Sequence, residues 1–331
     1  MTMMKKQKLL QIGLGSFGTN WFENVLPYSE NVEVAGVVTS SPKKGEWAKK
    51  VAGLSQEQIF SDYKEAIEIL QPDILLIVTP PHTHREYAVY AMEHGVSAIC
   101  EKPIADTEED AHAMLEASIR TGIPLAIAEN YRYFGAIRRA QQIVSSGKIG
   151  KLNTVRFDFL MNHKIENYHT QLHHPLLLDI SVHHFDTIRF VTGLEAKSID
   201  ITTWDPEWSI YKSNSCATAE LSMEENVHVS YCATLCSYLT STKWTGDWRI
   251  EGEYGMVEIK GNTVTLTTKD EITSEEIPET ENSILSMLDS IAHDFTNGQV
   301  AENDIRNNMK SYTLAMRAIE SADKGVRVFL S

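Results

Sequence analysis

Residues 8–18 decide the fold: Lys8-Leu9-Leu10-Gln11-Ile12-Gly13-Leu14-Gly15-Ser16-Phe17-Gly18. A short apolar run reads as a strand, three glycines follow with the spacing G-x-G-x-x-G, and a helical stretch from Ser16 to Leu26 comes next. In a strand–turn–helix unit these glycines allow a tight turn, close approach of backbone to a pyrophosphate and tight packing of helix on strand. The helix N-terminus then faces the phosphates. A tight turn without a ligand is the plain alternative, and the position at a first strand–helix junction argues against it. Gly13, Gly15, Ser16, Phe17 and Gly18 are therefore candidate cofactor contacts.

Working outward, strand and helix patterns alternate. Strands are expected at Lys8 to Gly13, Val32 to Thr39, Ile59-Phe60, Asp73 to Thr79, the segment running into Glu101, and Ile123 to Ala128. Helices fill the gaps, one of them ending near Leu70 with Ser61 or Asp62 as its cap and another spanning Thr107 to Arg120. Such alternation predicts a parallel sheet covered on both faces. Beyond a helix near Gly135 to Ser146 the character changes. Leu152 to Met161, Ser198 to Trp204, Cys216 to Ser222, Val227 to Leu235, Asp247 to Glu253, Met256 to Lys260 and Thr263 to Thr268 alternate polar with apolar residues, as antiparallel strands do. Helices are expected at Leu176 to Thr192, Ser283 to Thr296 and Ala301 to Asp323. The fold class is α/β: a Rossmann dinucleotide-binding domain over residues 1–128, then an α+β domain with a largely antiparallel sheet over 129–331.

Composition excludes several function classes. The 331 residues carry 45 acidic against 30 basic side chains, a net charge of −15 that disfavours a nucleic-acid partner. No apolar run is long enough for a transmembrane helix. Met1 to Leu10 reads as a first strand rather than a signal peptide, because glycines break the run and no small-residue cleavage site follows. The four cysteines form no Cys-x-x-Cys pair, which suits reduced thiols in a cytoplasmic protein.

The end of the second strand reads Thr39-Ser40-Ser41-Pro42-Lys43-Lys44, with no Asp or Glu to hold a ribose 2′-hydroxyl. Hydroxyls and lysines can bond a 2′-phosphate, so Thr39, Ser40 and Lys43 favour NADP over NAD. Further along, Glu101-Lys102-Pro103 closes a strand and places one ammonium group at the carboxyl edge of the sheet, where ligands bind in open α/β folds. Asp179 and His183 are spaced i, i+4 in a helical segment and share a face. An imidazole suits proton exchange with a hydroxyl, a carboxylate can orient it or the substrate, and a lysine can polarise the reacting oxygen while a nicotinamide takes the hydride. Each piece alone has an ordinary surface reading. Their occurrence together, after the glycine fingerprint, points to alcohol–ketone interconversion.

The sequence resembles the Gfo/Idh/MocA oxidoreductases, the glucose–fructose oxidoreductase, inositol dehydrogenase and rhizopine-catabolism family. The resemblance rests on Gly13-x-Gly15-x-x-Gly18, Thr79-Pro80-Pro81-His82-Thr83-His84, Glu101-Lys102-Pro103, Asn130-Tyr131-Arg132-Tyr133, Ser146-Gly147-Lys148-Ile149-Gly150 and Asp179-x-x-x-His183. It implies that Lys102 lies beside nicotinamide and reacting oxygen, that Asp179 and His183 lie across the substrate with His183 the proton carrier, and that Thr79, Pro80, His84 and Glu101 line the cofactor cleft. Tyr131 joins the substrate contacts. A sugar, cyclitol or related polyol is the implied substrate, and a homodimer or homotetramer through the second sheet the implied assembly. Where relatives carry a glycine-rich stretch before the Asp, this chain has Leu172-His173-His174-Pro175.

Six histidines, at 163, 169, 173, 174, 183 and 184, crowd this region. No Cys and no His-x-x-x-His pair on a regular helix accompanies them, so no metal site is expected. His163 and His174 are read as substrate-binding groups, and His184 as a packed one. Two rivals to a dehydrogenase remain: an NAD-dependent glycosidase, and a nucleotide-sensing regulator without chemistry.

Overall fold

A computed structural model describes residues 6–163, 168–278 and 282–330, with the side chains of Tyr168 and His169 outside that description. The chain divides into two compact units, Met1–Glu129 with Asn282–Met309, and Asn130–Glu281 with Lys310–Ser331. The boundary expected at 128/129 lies one residue from the first division. The segment 282–309 packs with the first unit rather than with residues 129–331.

The first unit is a six-stranded parallel sheet in the order β3-β2-β1-β4-β5-β6. Its strands are β1 (Gln7–Ile12), β2 (Val32–Val38), β3 (Ile59–Phe60), β4 (Ile74–Ile77), β5 (Ser97–Cys100) and β6 (Leu125–Ile127). Leu9, Leu10, Ile74, Leu75, Leu76, Ala98 and Ile99 are fully buried, as expected of strands covered on both faces. The crossovers run one way from β1 to β3 and the other way from β4 to β6, so the order reverses between β1 and β4.

The connecting helices are α1 (Ser16–Asn24), α2 (Pro42–Ala52), α3 (Tyr63–Leu70), α4 (His84–Glu93) and α5 (Glu108–Thr121). Their ends obey local chemistry. Asp62 accepts from the Lys64 and Glu65 amides at the start of α3, and Thr107 accepts from the Asp110 amide at the start of α5. Near the C-terminus α8 (Ser283–Thr296) returns to this unit. The Ser29 hydroxyl donates to Asp289, and the Asn303 amide donates to the carbonyls of Ile127 and Glu129 at 3.1 and 3.0 Å.

The second unit is a nine-stranded sheet in the order β14-β13-β12-β11-β7-β10-β9-β8-β15. The strands are β7 (Leu152–Leu160), β8 (Ala196–Trp204), β9 (Cys216–Met223), β10 (His228–Thr234), β11 (Asp247–Gly252), β12 (Gly255–Lys260), β13 (Thr263–Thr268), β14 (Ile272–Glu276) and β15 (Val328–Phe329). Alternate residues face a core built on Phe157, Phe159, Leu221, Val229, Tyr231, Trp248 and Ile250. Helices α6 (Gly135–Ser145) and α7 (Val182–Thr192) contribute Ile137, Ala140, Phe185 and Ile188 to it, and α9 (Ile305–Lys324) contributes Leu314, Ala315 and Ala318.

Three features differ from the sequence expectation. β7 pairs with β10 in parallel, at the centre of an otherwise antiparallel sheet. β14 and β15 are additional, and β14 is exposed at every residue, so no burial pattern marks it in the sequence. The segment Leu176–Ser181 is a π-helical turn leading into α7, not the start of one regular α-helix. An apolar run such as Leu176-Leu177-Leu178 carries no period that would separate the two geometries, and π-turns are often found at functional sites.

Candidate active site

In the first unit the residues after β1, β4 and β5 lie level with one another. Ile12 pairs with Ile77, and Ile77 with Cys100, so Gly13, Val78 and Glu101 begin the same carboxyl edge. Gly13 has φ +97°, and a Cβ there would meet the Val78 carbonyl at 2.2 Å. Only glycine fits. Gly18 approaches the Gly13 carbonyl equally closely, where a Cβ would lie at 2.4 Å. Gln11, fully buried, donates from Nε2 to both the Gly13 and Gly18 carbonyls at 2.8 Å and so fixes the loop from beneath. No sequence motif marks that glutamine.

The space beside Gly15 is open, with nothing within 4 Å of the position a Cβ would take. Gly15 caps α1 with no side-chain hydrogen bond, and the first turn holds no acidic residue. Exposed Ser16 and Phe17 follow. The positive end of the helix dipole therefore stands uncompensated beside a bare backbone, which fits a pyrophosphate. At the end of β2, Thr39 is half-buried with its hydroxyl accepting from the Ser41 amide at 3.3 Å, while Ser40 and Lys43 are exposed. Lys44 is committed elsewhere, over the ring of Trp47 at 5.6 Å.

Lys102 follows β5 directly and is half-buried; the Lys102–Pro103 peptide is cis. Its neighbour Glu101 is buried, accepts from Trp21 Nε1 at 2.7 Å and from the Lys102 amide at 3.1 Å, and thereby joins β5 to α1. Burial pushes the Glu101 carboxyl up to about 7, against the pull of Trp21 and Lys102. No motif or spacing in the sequence marks Trp21. His84 is fully buried, with Nε2 2.8 Å from the Thr79 carbonyl and Nδ1 3.1 Å from that of Ile104. Burial lowers its pKa, and the ring holds the Thr79 and Ile104 backbones rather than presenting a surface to a ligand. Thr79 is half-buried with its hydroxyl 2.7 Å from that of Thr83, and Pro80 is exposed.

In the second unit, His183 lies flat on Tyr131, ring centroids 4.1 Å apart and planes 5° from parallel. Tyr131 belongs to a turn, Asn130–Tyr133, whose Arg132 is clamped to Asp186 of α7 by two hydrogen bonds of 2.6 Å. Arg132 directly follows Tyr131 and Asp186 lies three residues beyond His183, so a buried ion pair flanks the stack on both chain segments. Asp179 sits half-buried in the π-turn, and its charge reaches Tyr211, whose phenol pKa is raised by burial, Cys236 and Asp179. The Tyr211 hydroxyl also lies 2.5 Å from His163 Nδ1. Through Tyr211, missed in the sequence, the structure links Asp179 with His163.

His174 behaves differently. It is 1% exposed and turned to Asp323, so it does not join the Tyr211 group. The reason is its φ of +53°, which swings the ring towards the C-terminal helix. His184 is fully buried between the Tyr231 hydroxyl and the Trp244 carbonyl, both at 2.9 Å, and burial drops its pKa to about 3. It is a packed residue, as expected.

Two family models match: one described as oxidoreductase family, NAD-binding Rossmann fold, over residues 8–128, and one described as GFO/IDH/MocA C-terminal domain, over residues 137–258. An uncharacterised protein y4oX of Sinorhizobium fredii is 30% identical over 256 residues, covering 75% of this chain and 71% of that protein. D-apiose dehydrogenase of Paraburkholderia graminis is 28% identical over 195 residues, 58% of this chain, which spans only 51% of that enzyme. Among solved structures, an oxidoreductase from Agrobacterium radiobacter in complex with NAD+, L-tartaric acid and magnesium superposes with TM-score 0.92. It is 22% identical and 98% of each chain is covered, a likeness of fold. Among the described residues no helix is long and apolar enough to cross a membrane.

Proposed function

The chain belongs to the Gfo/Idh/MocA oxidoreductase family, and from that premise we propose that it transfers hydride between a nicotinamide and the secondary hydroxyl or ketone carbon of a sugar, cyclitol or related polyol. One observation carries the reading: Lys102 stands at the same carboxyl edge as the bare glycine loop, level with it through β1, β4 and β5. The name of the D-apiose dehydrogenase relative supports a sugar-like substrate.

The bound nicotinamide supplies the acceptor for hydride, and the protein handles the proton. Lys102 donates to the substrate oxygen and stabilises the negative charge that grows there as the C–H bond breaks. His183, held flat by Tyr131, takes the hydroxyl proton. Asp179 orients substrate hydroxyls, with Tyr211 and His163 as further hydrogen-bonding partners. In reduction the same groups act in reverse.

His183→Ala is expected to lower kcat strongly, because the group that takes the hydroxyl proton is gone. Initial rates with the best member of a sugar and polyol panel test this; a near-normal kcat assigns the proton to another group. The cofactor is NADP(H) in this reading, since Thr39, Ser40 and Lys43 offer hydroxyls and an ammonium, and β2 ends without a carboxylate. NADPH should bind about tenfold more tightly than NADH, the equivalent of one charge-assisted hydrogen bond. Fluorescence titration of both decides it, and tighter NADH binding overturns the assignment.

A further inference from the structure

Away from the residues used above, three donor atoms converge. His173 Nε2 and His174 Nε2 each lie 2.9 Å from one carboxylate oxygen, Oδ1 of Asp323 near the end of α9. All three atoms are within 4.8 Å of one another.

Consecutive side chains in an extended chain point to opposite sides. Here the left-handed backbone of His174, φ +53°, brings both rings to the same side with centroids 4.1 Å apart. A non-glycine residue in that conformation is strained, and such residues gather at functional sites. His174 is also buried with Nδ1 lacking a hydrogen-bond partner. Two hydrogen bonds to a carboxylate that is 48% exposed are a small return for this strain and this buried orphan.

We propose that His173, His174 and Asp323 bind one divalent transition-metal ion of the zinc class, with water completing the shell. Two imidazoles and one carboxylate oxygen form a donor set suited to zinc, cobalt or nickel, and not to magnesium or calcium, which prefer oxygen throughout. Ligand bonds of 2.0–2.2 Å in a tetrahedral shell set donors roughly 3.3 Å apart. Each imidazole then needs to retreat from Asp323 by a few tenths of an ångström, which side-chain rotation supplies. His173 is 64% exposed, giving the ion a way in. His174 precedes the π-turn that bears Asp179, so the ion cross-links that turn to the C-terminal helix. The inference does not depend on the proposed reaction.

In the sequence no helical His pair or Cys accompanies the cluster, which is why no metal is expected from it. The third donor is 149 residues from His174, beyond the reach of any spacing rule. The test is titration of untagged, chelator-stripped full-length protein with Co2+ alone. The expected result is one equivalent bound, with the intense visible absorption of a four-coordinate ion, bleached on addition of Zn2+. His173→Ala and Asp323→Asn should each weaken Co2+ binding by more than about 100-fold with the far-ultraviolet circular dichroism unaltered. Both residues are substantially exposed, and should Asp323→Asn fail to fold, His173→Ala alone decides. No stoichiometric uptake, or equal uptake by wild type and His173→Ala, overturns the proposal.

Discussion

Lys102→Ala is expected to lower kcat about 10²–10³-fold while leaving nucleotide affinity within about threefold, as for removal of a single donor that stabilises a developing oxyanion. The expectation follows from position. Lys102 extends from the end of β5, held by Glu101, which the Trp21 indole and the Lys102 amide both bond. Its backbone is fixed on the sheet side by that contact. Removing the side chain takes away the charge that grows in value as the alkoxide forms, but it leaves the glycine loop and α1 intact, so the dinucleotide still binds. Lys102→Met, which keeps the length and loses the charge, should behave like the alanine variant. Turnover of the polyol panel, followed by absorbance of the reduced nicotinamide, gives the rate, and quenching of protein fluorescence gives the affinity. Near-normal turnover in both variants would remove Lys102 from the chemistry. Loss of nucleotide binding along with rate would make it a cofactor residue instead.

Local signals in the chain translated directly into structure. Thr107 and Asp62 cap their helices, Thr263–Thr268 and Ser283–Thr296 have the bounds their patterns suggest, and the glycine loop sits at the strand–helix junction its spacing requires. What escaped is of one kind: pairing between residues distant in sequence. The parallel contact of β7 with β10 depends on topology, not on either strand's alternation. Trp21 meets Glu101 across 80 residues, and Asp186 meets Arg132 across 54. The Asp186 carboxylate accepts from Arg132 and from Ser311 on α9, because a buried charge is stable only where donors saturate it. Lys102, His183 and Asp179 could be picked out because their residue types carry chemistry at a stated position. Tyr211 could not, since a tyrosine in a loop carries no spacing signal of its own.

Asp186→Asn is expected to destabilise the second unit by about 3–5 kcal/mol, and Arg132→Met by less, although the two side chains form one ion pair. The difference lies in the third charge. Side chains of Arg132, Asp186 and Arg189 are 3%, 1% and 4% exposed, and Arg189 Nη1 lies 3.8 Å from Asp186 Oδ1. Neutralising Asp186 leaves Arg132 without its buried carboxylate and Arg189 with only Glu195 of its two acidic neighbours. Neutralising Arg132 leaves the carboxylate still faced by Arg189 and bonded by Ser311 at 2.6 Å. The pH dependence discriminates further. Burial pushes the Asp186 carboxyl up, but Arg132, Ser311 and Arg189 outweigh it and hold the group below the usual carboxylate range. A depressed folded-state pKa contributes stability that is present above the unfolded value, about 3.9, and is lost as pH falls through the folded one. Without Arg132 the burial effect gains ground and the carboxyl rises. The variant can then take up a proton in mild acid, and its deficit against wild type should shrink between pH 7 and pH 4. Urea unfolding at both pH values, followed by near-ultraviolet circular dichroism, measures the two deficits. Equal losses for the two variants would mean that Arg189 does not share the carboxylate, and an Arg132→Met deficit that grows in acid would mean that the carboxyl does not rise when Arg132 is removed. Because Arg132 follows Tyr131 directly, the same variant should also loosen the Tyr131 stack on His183, so stability and turnover are expected to fall together.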